Sequence, residues 1–221
     1  MENLFSNKTY ASIAVVVAIF VGFFIYHQYG PLPATLNLAV PFTDQAPTGN
    51  WDRNEDCEEA SITMANAFLN GNHDTTLPSD VALTYITSLK NWEAANIGYN
   101  ANTGAYATSS MAEGAFGITV RQIANYTEND LKRALADGHV VLLPINAQLL
   151  GNTTYLNGGP LYHMIVVRGY NTSGFIVNDP GTTDGNSNAY SFATLHNAAA
   201  DWNNSAKIMD STIKIALVLS K

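Results

Sequence analysis

The chain opens with an apolar run and continues as a mixed polar and apolar domain. The run from Tyr10 to Tyr26 contains no charged residue and reaches the lower limit of about 17 to 25 residues for a membrane-spanning helix. Lys8 precedes the run and the next Lys or Arg is Arg53, so the positive-inside rule predicts a cytoplasmic N-terminus. The predicted organisation is a cytoplasmic tip (1–9), a transmembrane helix as anchor (10–26), a tether (27–37) and an outward-facing domain (38–221).

A signal peptide that is cleaved after export is the alternative interpretation of the same run. The residues that follow it read HQYGPLPA and lack the small-x-small motif of a cleavage site. An uncleaved anchor is therefore preferred over secretion, and the domain is expected on the extracytoplasmic side of a membrane.

Helical periodicity dominates the first part of the domain. Asp56 to Leu69 and Ser79 to Trp92 carry apolar residues at helical spacing. Thr127 to Ala136 begins with a Thr and has an Asp three residues later, as in a capping box. Glu93 to Gly117 is rich in Ala, Gly, Asn and Ser and, apart from a helical turn over Met111 to Phe116, is expected to be a loop that borders a site.

Strand-like runs follow the helices. They are Val140 to Ile145, His163 to Tyr170, Phe175 to Asn178 and Ile213 to Leu219, with a turn at Asn171 to Gly174 and a helix expected over Ser191 to Trp202. Helices first and antiparallel strands later predict an α+β fold in which a helical half packs on an antiparallel sheet, with a cleft between them.

Composition and charge exclude several classes of function. Ten Lys and Arg against eighteen Asp and Glu give a net charge of −8, which would repel nucleic acid. The single Cys excludes an internal disulfide and a zinc site of several thiolates. His-x-x-x-His and HExxH motifs are absent, so neither a metal nor another cofactor is expected.

The candidate chemistry depends on Cys57. The first turn of a helix lowers the pKa of a thiol, although Glu58 and Glu59 would oppose this effect if they faced the sulfur. His163 lies in a strongly strand-forming run, where a rigid backbone would aim it, and Asp179 ends the next strand after one hairpin. Taken alone, such a Cys or His is more often a packing residue. The order Cys, His, Asp, however, is that of papain-like hydrolases.

An acyl-transfer site also needs donors for the oxyanion. The backbone N–H of Cys57 is one candidate donor. Gln45 is the preferred side-chain candidate and Asn54 is its rival.

Four segments extend this interpretation: VPFTDQAPTGNW, DCEEAS, YHMIVVRGYN and FIVNDPGT. Together they closely resemble family 39 of the cysteine peptidases, the bacteriocin-processing or double-glycine peptidase-like group, in its stand-alone branch. The likeness covers roughly Leu38 to Leu219. The resemblance implies a papain-like fold with Cys57 as nucleophile, His163 as general base and then acid, Asp179 as orienting residue and Gln45 as oxyanion donor.

The predicted function is that of a membrane-anchored, outward-facing cysteine peptidase that cleaves a peptide or related amide bond through a thioester. Its expected partner is a peptide or protein substrate, including cell-wall peptide, with the segments Glu93 to Gly117 and Gln148 to Leu161 along the groove. Trp51 is either a wall of the site or a core residue. Two alternatives remain open, a non-catalytic module that binds peptide or cell wall, and a thiol acyltransferase.

Overall fold

The computed structural model describes residues 12–20, 30–51, 55–98 and 102–221. The chain forms two compact units, Met1–Pro33 and Ala34–Lys221. In the first unit, residues 12–20 are helical (α1) and exposed, whereas the other residues of the expected anchor lie outside the described ranges. No helix within those ranges is both long enough and apolar enough to cross a membrane.

The second unit contains five helices and nine strands among its described residues. The helices are α2 (Cys57–Leu69), α3 (Ser79–Asn96), α4 (Ala105–Phe116), α5 (Glu128–Ala136) and α6 (Phe192–Ala198). The strands are β1 (Leu36–Asn37), β2 (Thr119–Ala124), β3 (Val140–Ile145), β4 (His163–Asn171), β5 (Gly174–Asn178), β6 (Asn188–Tyr190), β7 (Asp201–Asn203), β8 (Ile208–Asp210) and β9 (Ile215–Ser220).

One antiparallel sheet organises this unit. Its strands run in the order β2-β9-β3-β4-β5-β6, and β1 pairs with the far end of β4. A separate ladder joins β7 to β8. Helices α2 and α4 pack against one face of the sheet and α3 packs against these two helices, whereas α5 and α6 pack against the other face. The α+β architecture predicted from the sequence is confirmed.

The central strands are buried on both faces. In β3, Val141 and Leu143 belong to the core on the side of α5 and α6, whereas Val140 and Leu142 belong to the core on the side of α2. Side chains alternate between the faces of a strand, so a strand covered on both faces needs an unbroken apolar run. The run VVLLPI in β3 meets this need, and the run MIVV in β4 does the same.

A buried guanidinium holds the end of β5 against β4. Nε of Arg168 donates to Oδ1 of Asn178 at 2.8 Å, and Nη1 donates to Oδ1 of Asn37 at 2.8 Å. Burial lowers the pKa of Arg168. These bonds fix the backbone immediately before Asp179.

Most predicted elements are present. The predicted strands appear within one or two residues of their expected ends. Helix α5 has the expected capping box, in which Thr127 Oγ1 accepts from the backbone N–H of Asp130 at 3.2 Å and Asp130 Oδ2 accepts from that of Thr127 at 2.8 Å. The expected helix over Ser191 to Trp202 ends earlier, at Ala198, and β7 follows.

The helical turn predicted over Met111 to Phe116 is confirmed, but the loop predicted for the rest of Glu93 to Gly117 is wrong where α3 and α4 extend into it. Helix α3 continues to Asn96, and Ala105–Phe116 forms α4. The buried side of α4 consists largely of small residues, which leave a weak apolar stripe in the sequence. Gly114 lets the helix approach α3, since a Cβ at this position would lie 2.1 Å from Cζ2 of Trp92.

We therefore expect Gly114→Ala to lower the free energy of unfolding. Overpacking costs about 1–3 kcal/mol, which exceeds the gain of about 1 kcal/mol that Ala brings to a helix. Urea unfolding measures the difference. In a Trp92→Leu background the same substitution should cost less, and equal or greater stability of Gly114→Ala in the native background would contradict this account.

Candidate active site

A histidine and an aspartate meet where β4 begins and β5 ends. His163 is the first residue of β4 and Asp179 directly follows β5, its neighbour in the sheet. Nε2 of His163 lies 2.7 Å from Oδ1 of Asp179, and the two residues are 1% and 0% exposed. Because Nε2 faces Asp179, Nδ1 is the ring nitrogen that can exchange a proton with a substrate or a thiol.

Further donors hold the carboxylate. The hydroxyl of Tyr155 donates to Oδ2 of Asp179, and the backbone N–H of Gly181 donates to Oδ1 at 2.9 Å. Burial raises the pKa of Asp179, but the charge and hydrogen bond of His163, with these two donors, outweigh burial and leave the pKa below its ordinary value. Asp179 is therefore the ionised partner that fixes the ring of His163.

Tyr155 is a site residue that sequence analysis missed. Its ring packs edge-on against the imidazole of His163, with centroids 5.9 Å apart at 88°. It lies in the segment 148–161 that was expected to line the groove, but no motif distinguishes it from neighbouring polar residues. Gly181 also lies against the imidazole of His163, since a Cβ at this position would come within 2.9 Å of Nε2.

His163 borders a cavity of about 420 Å³. Gln45, Trp51, Tyr155, His163 and Gly181 are among its lining residues, with Thr154, Leu156, Gly159, Pro160, Thr182 and Thr183. The backbone N–H of Gln45 donates to the carbonyl of Pro180 at 2.9 Å. Gln45 and His163 therefore face one space. Asn54, the rival oxyanion candidate, lies outside the described residues.

Cys57 is the first residue of α2 and is 5% exposed. The helix is tied to β4 by Ser61, whose hydroxyl donates to the carbonyl of Met164 at 3.3 Å. The backbone of Met164 is also hydrogen-bonded to the sulfur. Cys57 thus lies beside the residue that follows His163.

The hydrogen bond of the thiol goes to a carboxylate. Sγ of Cys57 donates to Oε2 of Glu58 at 2.9 Å. Within the described part of the chain, no hydrogen bond joins Cys57 to His163. The structure therefore brings His163 together with Asp179, and Cys57 together with Glu58.

The thiol is not activated in this arrangement. Burial, followed by the charge and hydrogen bond of Glu58 and then the charge of Glu59, raises the pKa of Cys57 well above its ordinary value. The expected lowering by the helix N-terminus is therefore wrong for this state, because burial and two carboxylates outweigh it.

A group of buried carboxyls surrounds this end of α2. Oε1 of Glu58 accepts from the backbone N–H of Thr103 at 2.6 Å, and the hydroxyl of Thr103 donates to Oε1 of Glu93 at 2.8 Å. Glu59 is also buried, at 3% exposed. Burial is the main cause that raises the pKa of Glu58, to about 7, and the charge of Glu93 adds to it. Across the residues that the structure describes, no group of three His, Cys, Asp or Glu side chains is arranged to hold a metal ion.

Comparison with known proteins identifies the fold and the family. A candidate C39-like peptidase from Bacillus anthracis superposes with a TM-score of 0.56 at 16% identity, over 86% of this chain and 98% of that chain. Procathepsin L 3 from the larval midgut of Tenebrio molitor matches 86% of this chain and 71% of its own length at 15% identity, with a TM-score of 0.41. No curated protein matches the sequence.

The family resemblance seen in the sequence is confirmed over most of the second unit. The profile of the Peptidase_C39 like family matches residues 37–209, and the structural match is to a protein of the same description. The chain belongs to the Peptidase_C39 like family and has its α+β, papain-like fold.

Proposed function

We propose that the domain is a cysteine peptidase in which Cys57, His163 and Asp179 act as the catalytic triad. The observation that supports this most directly is the buried bond of 2.7 Å between Asp179 and His163, and His163 lines a cavity together with Gln45. A histidine oriented in this way is a general base suited to a thiol, and the family match supplies the reaction class.

The proposed reaction proceeds through a thioester. The thiol proton of Cys57 passes to Nδ1 of His163, and the thiolate attacks the carbonyl carbon of the scissile bond. The imidazolium then gives its proton to the leaving amine as the C–N bond breaks. Water, deprotonated by His163, attacks the thioester, and the proton returns to sulfur as the acid leaves. Asp179 keeps the imidazole in the required tautomer throughout.

Two donors are proposed for the oxyanion. The backbone N–H of Cys57 belongs to the first turn of α2, where N–H groups have no acceptor within the helix. The side-chain amide of Gln45 is the second proposed donor, supported by its place on the cavity wall beside His163.

We expect Cys57→Ala to abolish hydrolysis of a fluorescent peptide library, because no thioester can form. His163→Ala should lower kcat/KM by about 10²–10⁴-fold, the usual contribution of a general base. His73→Ala is the matched control and should leave the rate unchanged, because His73 is an exposed histidine. Hydrolysis that survives Cys57→Ala would contradict the proposal. Release of the acyl group to an added amine instead of water would indicate the acyltransferase alternative.

Tyr155→Phe tests how Asp179 is held. We expect kcat to fall by about tenfold or more, because a hydrogen bond to a charged group contributes about 1.5–3 kcal/mol. The pKa of Asp179 should rise towards its ordinary value, so the acidic limb of the rate profile should move to higher pH. Tyr106→Phe, at an 80% exposed tyrosine, is the control. An unchanged acidic limb in Tyr155→Phe would contradict the role given to Tyr155.

We also propose, from the sequence, that residues 10–26 anchor the domain on the outer side of a membrane. The apolar run and the position of Lys8 support this orientation. The full chain should sediment with membranes and be digested by protease added to intact cells. A shortened chain in the medium would indicate signal cleavage instead.

The proposed substrate is a peptide or protein, including cell-wall peptide.

A further inference from the structure

A carboxyl group contacts the sulfur that the proposed function uses as its nucleophile. Oε2 of Glu58 accepts the thiol hydrogen of Cys57 at 2.9 Å. Glu58 is 1% exposed, so bulk water does not screen this contact. The interaction therefore bears directly on whether the sulfur can become negative.

Hydrogen bonds at both carboxyl oxygens hold the side chain of Glu58 in place. Oε1 accepts from the backbone N–H of Thr103 at 2.6 Å, so Oε2 is the oxygen presented to Cys57. The hydroxyl of Tyr162 donates to the carbonyl of Thr103 at 2.8 Å, and the hydroxyl of Thr103 binds Glu93. Thr103 is thus held by Tyr162 and Glu93, and the position of Glu58 follows from it.

The surroundings of Glu58 are mainly acidic. The titratable and charged side chains around Glu58 and Glu59 are Asp56 directly before α2, Cys57 of α2, Lys90 and Glu93 of α3, and Tyr162 before β4, with Asp201 of β7 beyond Tyr162. Nζ of Lys90 lies 2.7 Å from Oδ1 of Asp56. Buried like charges favour protonation of some members. Burial and Glu93 accordingly raise the pKa of Glu58 to about 7, and burial together with the charge of Glu58 raises the pKa of Glu59 well above its ordinary value.

We propose that Glu58 is a catalytic residue that controls the charge of the nucleophile: its ionised carboxylate holds Cys57 as a thiol, and its protonated form donates to the thiolate. The inference rests on the proposed function. One proton enters from solvent and stays on Oε2 of Glu58. The hydrogen bond then reverses, and the thiol proton passes to Nδ1 of His163, which gives a thiolate and an imidazolium. The reactive form therefore accumulates as pH falls through the pKa of Glu58.

Glu58→Gln reproduces the protonated form at every pH. Its amide oxygen can accept from Thr103 while its NH₂ donates to the sulfur. Iodoacetamide labelling of Cys57 between about pH 6 and pH 8 measures thiolate formation directly. We expect Glu58→Gln to label about tenfold faster than the native chain at pH 8, the change that corresponds to one pKa unit. Glu59→Gln, the adjacent buried carboxyl without a hydrogen bond to sulfur, is the matched control and should change the rate less.

The native pH profile gives a second measurement that does not depend on how the variant folds. The labelling rate of the native chain should rise as pH falls from 8 to 6, whereas an ordinary thiol slows about tenfold per unit below its pKa. A native rate that climbs with pH in this ordinary way would overturn the inference. Labelling of Glu58→Gln that is no faster than labelling of the native chain, or labelling of Glu59→Gln that is as fast as that of Glu58→Gln, would also overturn it.

His163→Ala separates this inference from the proposed function. If His163 is the base, its removal should slow labelling in both the native and the Glu58→Gln backgrounds. Labelling that is unaffected by His163→Ala would contradict the triad, whatever Glu58 does. Labelling that depends on His163 but not on Glu58 would contradict the role of Glu58 alone.

Discussion

The buried pair of His163 and Asp179 is the constraint on which the site depends. An ionised carboxylate with 0% exposure costs several kcal/mol of desolvation unless its oxygens are satisfied. The imidazole, Tyr155 and Gly181 satisfy them, and each comes from a different part of the unit. The sheet must therefore hold β4 and β5 in one register, and the two-sided burial of β3 and β4 supplies the rigidity that this requires.

The two halves of the site have opposite electrostatic character. Around His163, the ring is hydrogen-bonded to the carboxylate of Asp179. Around Cys57, burial and the carboxyls of Glu58 and Glu59 oppose a negative charge on sulfur. A thiolate–imidazolium pair thus has support on one side only in the arrangement that the structure shows. Glu58 and Glu59 therefore affect the charge of the sulfur more than their position at a helix N-terminus suggests.

The sequence predicts those parts of the fold whose local pattern matches their environment. The apolar runs of β3 and β4 and the capping box of α5 are read directly because burial and capping select residue types. Most of helix α4 is not predicted, because its contacts use small residues such as Gly114, whose packing depends on Trp92 from another helix. The contact between Glu58 and Cys57 cannot be predicted from the local sequence for a related reason. Thr103, 45 residues away along the chain, fixes the orientation of the carboxyl.

Tyr155 belongs to a segment that has two short 3-10 turns, Ala147–Leu149 and Leu156–Gly158, and lies between β3 and β4. Segments of this kind open locally at a lower free energy than the sheet that carries them. Each such opening would detach the hydroxyl from Asp179 and admit water to the imidazole while the strands stay paired. Mild denaturant should consequently abolish the proposed peptidase activity well before the circular dichroism of the domain begins to change.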